Sequence, residues 1–179
     1  MVVTLSCWAI WRPLYASFAA TAGMPGAQVR TGMVALGSPA NAIVSVTGAI
    51  PGSFGSSCLR ITYTGSLTGH VRLYLTPAGI AGTGLASYLT LQVKQGSGGN
   101  VDCSDFVPAA TVYNPAGLID TTKTVTAFGA ASPGYATGVD SWTAATSDTR
   151  TYEFNWQLQD DNAAESRTAS LTFTWEAQS

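Results

Sequence analysis

Between Thr151 and Glu176 the chain alternates apolar and polar side chains twice in succession, and no other feature restricts its fold as strongly. Tyr152, Phe154, Trp156 and Leu158 share one parity, with Thr151, Glu153, Asn155 and Gln157 on the other. After a polar stretch, Asp160–Arg167, the alternation resumes with Leu171, Phe173 and Trp175 against Thr172, Thr174 and Glu176. A period of two sends successive side chains to opposite faces of an extended chain, so each run predicts a half-buried antiparallel strand. The aromatic residues Tyr152, Phe154, Trp156, Phe173 and Trp175 are therefore the predicted core.

Upstream, the same grammar repeats in shorter words. Gln28–Leu36 and Ala42–Val46 are candidate strands, and Pro51-Gly52 is a turn. Cys58–Tyr63 follows, then His70–Leu75 with Val71, Leu73 and Leu75 inward and His70, Arg72 and Tyr74 outward. Pro77–Gly84 is a glycine-rich connection, and Leu89, Leu91 and Val93 alternate on the next strand. Val112–Ala116 and Leu118–Ile119 suggest a long loop, Thr124–Phe128 one more strand, and Ser132–Ser147 a loop that docks Trp142. No segment carries a helical period. About eight or nine short strands separated by turn residues predict an all-β protein. The expected architecture is a single jelly-roll-like antiparallel β-sandwich, with an Ig-like sandwich as the alternative. Residues 23–179 form that domain, and residues 1–22 read as a degenerate or truncated export signal with an N-terminal segment.

Composition narrows the function. Of 179 residues, 46% are apolar and only 10% charged, with a net charge of −2; soluble domains average roughly 25% charged. Thr, Ser, Gly, Ala and Asn replace the missing charge, which suits an extracellular β-protein. Six of the eight basic residues are arginines scattered singly, so neither a nucleic-acid footprint nor a membrane-binding cluster forms. Met1–Trp11 is an apolar run of signal-peptide length, interrupted by Arg12-Pro13, with small residues at Ala16, Ser17, Ala19 and Ala20 suited to a signal-peptidase cut. No later run has the length of a membrane span, and none is expected in the mature form.

The three cysteines contain no CxxC pair, and a single histidine leaves too few soft ligands for zinc. Cys58 and Cys103 are expected to pair, with Cys7 in the export segment; two buried free thiols are the alternative. His70 lies on the outward side of its strand, which favours a solvated histidine over a general base. Asp160, Asp161 and Asn162 gather oxygen ligands that a calcium ion accepts, but an Asx turn between strands explains them better. Asp102 and Asp105 admit the same two readings. Gly79, Gly82 and Gly84 open no helix after a parallel strand and make no phosphate cradle. Trp142, Trp156 and Trp175 are expected in the core rather than stacked on sugars. No catalytic residue and no cofactor is predicted.

Several ordered motifs resemble actinobacterial members of the TasA/camelysin family, whose leaders are removed by a SipW-type signal peptidase. They are YASFAATAG (15–23), TGMVAL (31–36), PGSFGSSCLRITYTGSLTGHVRLYL (51–75), GTGLASYLTLQVKQGSGG (82–99) and the terminal aromatic hairpin (151–178). The resemblance implies a jelly-roll sandwich, exported and used outside the cell, in biofilm-matrix fibres or on the cell surface. In fibre-forming members the N-terminal segment of one subunit completes a sheet of its neighbour. Here that donor is Ser17–Arg30, including Ser17, Phe18, Ala19, Ala20, Gln28, Val29 and Arg30, freed by cleavage near Ala16. Pro25 removes one donor from any such ladder. Some members are described as metalloproteases; this chain has no HExxH, so that activity does not carry over. The expected partner is a second copy of the chain, met by β-strand addition. A binding module for glycans, using Tyr74, Tyr88, Tyr113 and Tyr135, is the competing expectation, and a hydrolase centred on His70 the third.

Overall fold

Alternation of buried and exposed side chains, rather than helical propensity, builds this molecule. The computed structural model describes Leu36, residues 41–46 and residues 48–179, all within one unit, Gly32–Ser179. Nine strands lie among the described residues: β1 (Asn41–Val46), β2 (Phe54–Thr62), β3 (Gly69–Tyr74), β4 (Ile80–Gly82), β5 (Leu89–Ser97), β6 (Val107–Tyr113), β7 (Val139–Ala144), β8 (Thr149–Leu158) and β9 (Ala169–Gln178). One α-helix among the described residues, α1 (Val125–Ala131), and four single-turn 3-10 helices interrupt them.

The first sheet runs β1-β9-β3-β7, with short β4 continuing the line of β3 along β9; the second runs β2-β8-β5-β6. All pairs are antiparallel. Leaving β4 aside, the first strand pairs with the last, the second with the second-last, the third with the third-last, and the middle two with each other. A folded ribbon wound in that way is the jelly roll of two Greek keys. The all-β sandwich expected from alternation is therefore the fold observed.

The inner faces supply the core. From the first sheet come Val71, Leu73, Trp142, Leu171, Phe173 and Trp175, and from the second Ile61, Leu89, Leu91, Val93, Tyr152 and Phe154, all buried. Their rings make a continuous path across the sandwich. Tyr113 meets Phe128 edge-on at 4.8 Å, Phe128 lies 5.9 Å from Phe173, and Phe173 lies 4.5 Å from Phe154. Trp175 then bridges Phe154 and Tyr152 at 5.9 and 5.2 Å. Aromatic pairs at such spacings contribute about 0.5–1.5 kcal/mol each beyond area burial. Trp156 departs from the expected core set: it is only half-buried. It sits opposite Gly55 near the end of the sheet, where its indole occupies the space a Cβ on Gly55 would need, 2.6 Å from Cζ2.

Several segments differ from their expected form. Thr124–Phe128 alternates but folds into the start of α1, because Thr124 caps it by accepting the Ala127 N–H at 3.1 Å. Val125, Phe128 and Gly129 then fall on one buried face, an i, i+3, i+4 stripe. The expected loop Ser132–Ser147 contains β7, whose period is broken by a bulge. Arg72 faces both Asp140 and Ser141, since the pairs Val71–Trp142 and Leu73–Val139 flank them. The connection Pro77–Gly84 likewise contains β4. Gln28–Arg30 and the rest of the proposed donor segment, together with Cys7 and the export signal, lie outside the described residues.

Candidate association edges and surface clefts

Among the described residues four strands end the sheet orders, β1 and β7 in the first and β2 and β6 in the second, and the three-residue β4 adds a short margin in line with β3. An edge strand presents unpaired N–H and C=O groups that template another strand, and soluble proteins blunt such edges. The four edges are blunted unequally.

β6 is broken by two register shifts, between Val93 and Lys94 and between Gln95 and Gly96 of its partner, and Pro108 contributes no N–H. β7 is bent by the bulge at Asp140, whose φ of 55° turns its carboxylate inward. There Asp140 Oδ1 accepts from Arg150 Nη1 at 2.8 Å and Oδ2 accepts from the Tyr152 hydroxyl at 2.6 Å. Arg150 also stacks over Trp142, 5.0 Å from the ring centroid. The cluster joins the edge of one sheet to the middle of the other. Burial, and after it the Asp140 carboxylate, pushes the Tyr152 phenol well above its ordinary range, so it stays a neutral donor.

β2 is different. It runs nine residues against β8 with no register shift, and Arg60 is its one charged side chain. Tyr63, just past its end, directs its N–H to Asp148 O and accepts from Ser147 N, both on the β8 side. Antiparallel pairing alternates these directions along a strand. Phe54, Ser56, Cys58, Arg60 and Thr62 therefore aim their backbone groups at the free edge. At the middle of that edge the Cys58 N–H donates to Val101 O at 3.0 Å. The segment carrying Val101 is held there by the Cys58–Cys103 disulfide, with Cα atoms 5.2 Å apart, so the expected pairing is present. Gly98 O, at the root of the segment, accepts from Arg60 Nε and Nη2 at 2.9 and 2.6 Å and from Thr151 Oγ1 at 2.6 Å. Asp105 closes the loop by accepting from Gly99 N and Asn100 N at 2.9 Å each. Those two N–H groups, that of Asn100 first, hold the Asp105 carboxyl below the usual carboxylate range. Asp102 is lowered in the same way by the backbone N–H of Ser104. Both acids are thus satisfied by their own loop. Glu153 lies within 4.8 Å of both sulfurs, but sulfur in a disulfide is not the thiolate that binds metal. A bridge between Leu36 and Tyr63 closes the far end of the β2 edge.

Among the surface depressions lined by described residues, two measure about 350 Å³ each. One is lined by Thr90, Leu118, Ile119, Gln157, Gln159 and Asp160. The other is apolar, between β4 and α1, with Pro77, Ile80, Gly129, Ala130 and Pro133.

The remaining sequence candidates are dispersed. His70 is exposed on β3, its Nδ1 3.2 Å from Thr143 Oγ1. Asp160, Asp161 and Asn162 are exposed in the β8–β9 turn, and Asp161 Oδ1 accepts from Ala163 N at 2.8 Å, the Asx turn expected of them. The four tyrosines do not form one platform. Tyr113 points into the core, while Tyr74 lies on the outer face of the first sheet and donates to Glu176 Oε2 at 2.8 Å. Tyr88 carries Arg167 over its ring, and Tyr135 carries Arg72. Sequence reasoning missed the Asp140–Arg150–Tyr152 cluster, because a bulge has no local sequence signature. It also missed the docking of Val101 on β2. No protein-family model matches this chain, and no curated protein matches it.

Proposed function

We propose that this protein is a secreted structural protein of the cell surface or biofilm matrix, self-associating by β-strand addition, as the TasA/camelysin resemblance implies. One observation carries the reading. Across four edge strands only Arg60 and Asp140 are charged, and Asp140 is turned inward. Sheets that must stay apart place charge, lysine above all, on such edges. The jelly-roll order fits the architecture that the resemblance implies, and a disulfide suits an oxidising compartment. Export would involve a signal peptidase acting near Ala16. The chain from Ser17 onward, oxidised or thiol-reduced, should form fibres or large oligomers by sedimentation and electron microscopy. Monomers in both redox states, with or without residues 17–30, would defeat the proposal.

A second reading, an extracellular binding module, draws on the cleft beside Ile119, whose Thr90, Gln157, Gln159 and Asp160 offer neutral and anionic oxygen and amide groups to a hydroxylated ligand. Chemical-shift changes confined to these residues on adding oligosaccharides would support it.

A further inference from the structure

We propose that the Cys58–Cys103 bridge is a lock on the β2 edge, and that opening it exposes this edge to a strand from a second copy of the chain. The inference rests on the self-association reading above and names its site and its control.

Edge geometry picks out β2. It is the longest of the four edge strands and keeps an unbroken register with its neighbour. β6 and β7 are disqualified by their own backbones, through bulges, Pro108 and the inward Asp140 carboxylate. β1 is regular but spans six residues. Along β2, the backbone groups of Phe54, Ser56, Cys58, Arg60 and Thr62 face outward from the sheet margin. Among the described residues, the loop meets the central one, Cys58, through a bond from its N–H to Val101 O, while the Leu36–Tyr63 bridge closes the edge beyond Arg60. An incoming strand needs that position, because a ladder broken at its middle leaves too short a pairing on either side. Val101 and the incoming strand therefore exclude each other.

What holds the cover is covalent. Asn100–Cys103 is a turn, closed by the Cys103 N–H on Asn100 O at 3.1 Å, with Cys103 itself at φ 61°. From Gly99 to Cys103 that bond and the bridge tie the loop to the β2 backbone, and the Arg60 guanidinium packs against Gly99. Gly98 is fixed separately by Arg60 and Thr151, so the loop has an anchored root and a tip held by sulfur. A dithiol reductant breaks the S–S bond to two thiols and is itself oxidised to a cyclic disulfide, the two electrons and two protons passing to the cysteines. The tip is then free to leave, while its root keeps the loop attached. The exposed Phe54, 79% accessible at the start of β2, offers an apolar anchor for whatever pairs there. In the cell the same lock closes when the bridge forms in an oxidising compartment, fixing when β2 is available.

The test compares the full chain, oxidised and dithiothreitol-reduced, with Ser56→Pro in both states, by sedimentation velocity over a concentration series. Ser56 points its N–H away from β8, so proline there removes a free-edge donor while sparing the native ladder, a position edge strands tolerate. Reduction should lower the concentration of half-assembly about tenfold, the factor that roughly one net backbone hydrogen bond supplies. Ser56→Pro should abolish that gain and leave oxidised behaviour unchanged. As a check that needs no variant, amide exchange in the reduced assembly should slow at Ser56 and Arg60. Oxidised and reduced chains that assemble equally, or a gain that survives Ser56→Pro with those amides still exchanging freely, would overturn the lock while leaving self-association intact. Chains monomeric in both states would overturn self-association as well.

Discussion

β7 and β2 border different sheets and are protected from other chains by opposite means. At β7 the protection is written into the strand, since a bulge with Asp140 at positive φ turns a carboxylate into the sandwich, where Arg150 and Tyr152 hold it. At β2 the strand is straight and regular, and its protection is a loop tied on from 45 residues away in the sequence. An edge blunted by its own backbone stays blunted as long as the protein is folded. One blunted by a tethered loop is open whenever the tether is.

Breaking each device should therefore give different signatures. The double substitution Cys58→Ser and Cys103→Ser should cost the most, about 4 kcal/mol of stability for a 45-residue closure in the chain-entropy model. Denaturant unfolding should show that loss together with new self-association at β2. Asp140→Ala should cost about 2–3 kcal/mol without new association. That is less than the ~3–5 kcal/mol for breaking a fully buried pair, because Arg150 keeps 25% of its side chain in water. A variant that associates through β7 would erase the distinction drawn here.

Tyr152→Phe sharpens the same contrast with pH. At neutral pH it should cost about 1.5–3 kcal/mol, the loss of one buried hydrogen bond to a charged acceptor. The folded phenol titrates above its unfolded value of 10.0, so at high pH the unfolded chain loses its proton first. The stabilisation is present in full below about pH 10 and is lost as pH rises beyond it. Wild-type stability should fall more steeply than that of Tyr152→Phe above about pH 10, in denaturant titrations at stepped pH. The smallest effect belongs to Asp105. Its carboxyl titrates below the ordinary range, so its support of the loop is present above that range and lost as pH falls through the lowered value. Acidification should lower the protection of the Gly99 and Asn100 amides, measured relative to the intrinsic exchange rate at each pH, while that of the β7 amides stays unchanged.

Much of this architecture was legible before any coordinates. β3, β5, β8 and β9 alternate visibly because each has a drier and a wetter face, and most of their inward residues are buried, with Trp156 only half so. The misses share a physical cause: each lacks a sustained period. β6 has five consecutive exposed residues and so no apolar face to recognise. β7 loses its phase at the bulge, and α1 spans only seven residues, too few to separate a helical stripe from alternation. The Cys58–Cys103 pairing followed from composition, but its work at the β2 edge did not. That depends on where the Val101 carbonyl lands, a tertiary fact with no residue type to announce it.

Amide hydrogen exchange on the assembled protein, read residue by residue against the monomer, tests self-association through sheet edges most directly. The account expects added protection along an edge strand, at alternate residues, with Ser56 and Arg60 of the reduced protein foremost. Assemblies in which β1, β2, β6 and β7 all exchange as they do in the monomer would contradict it.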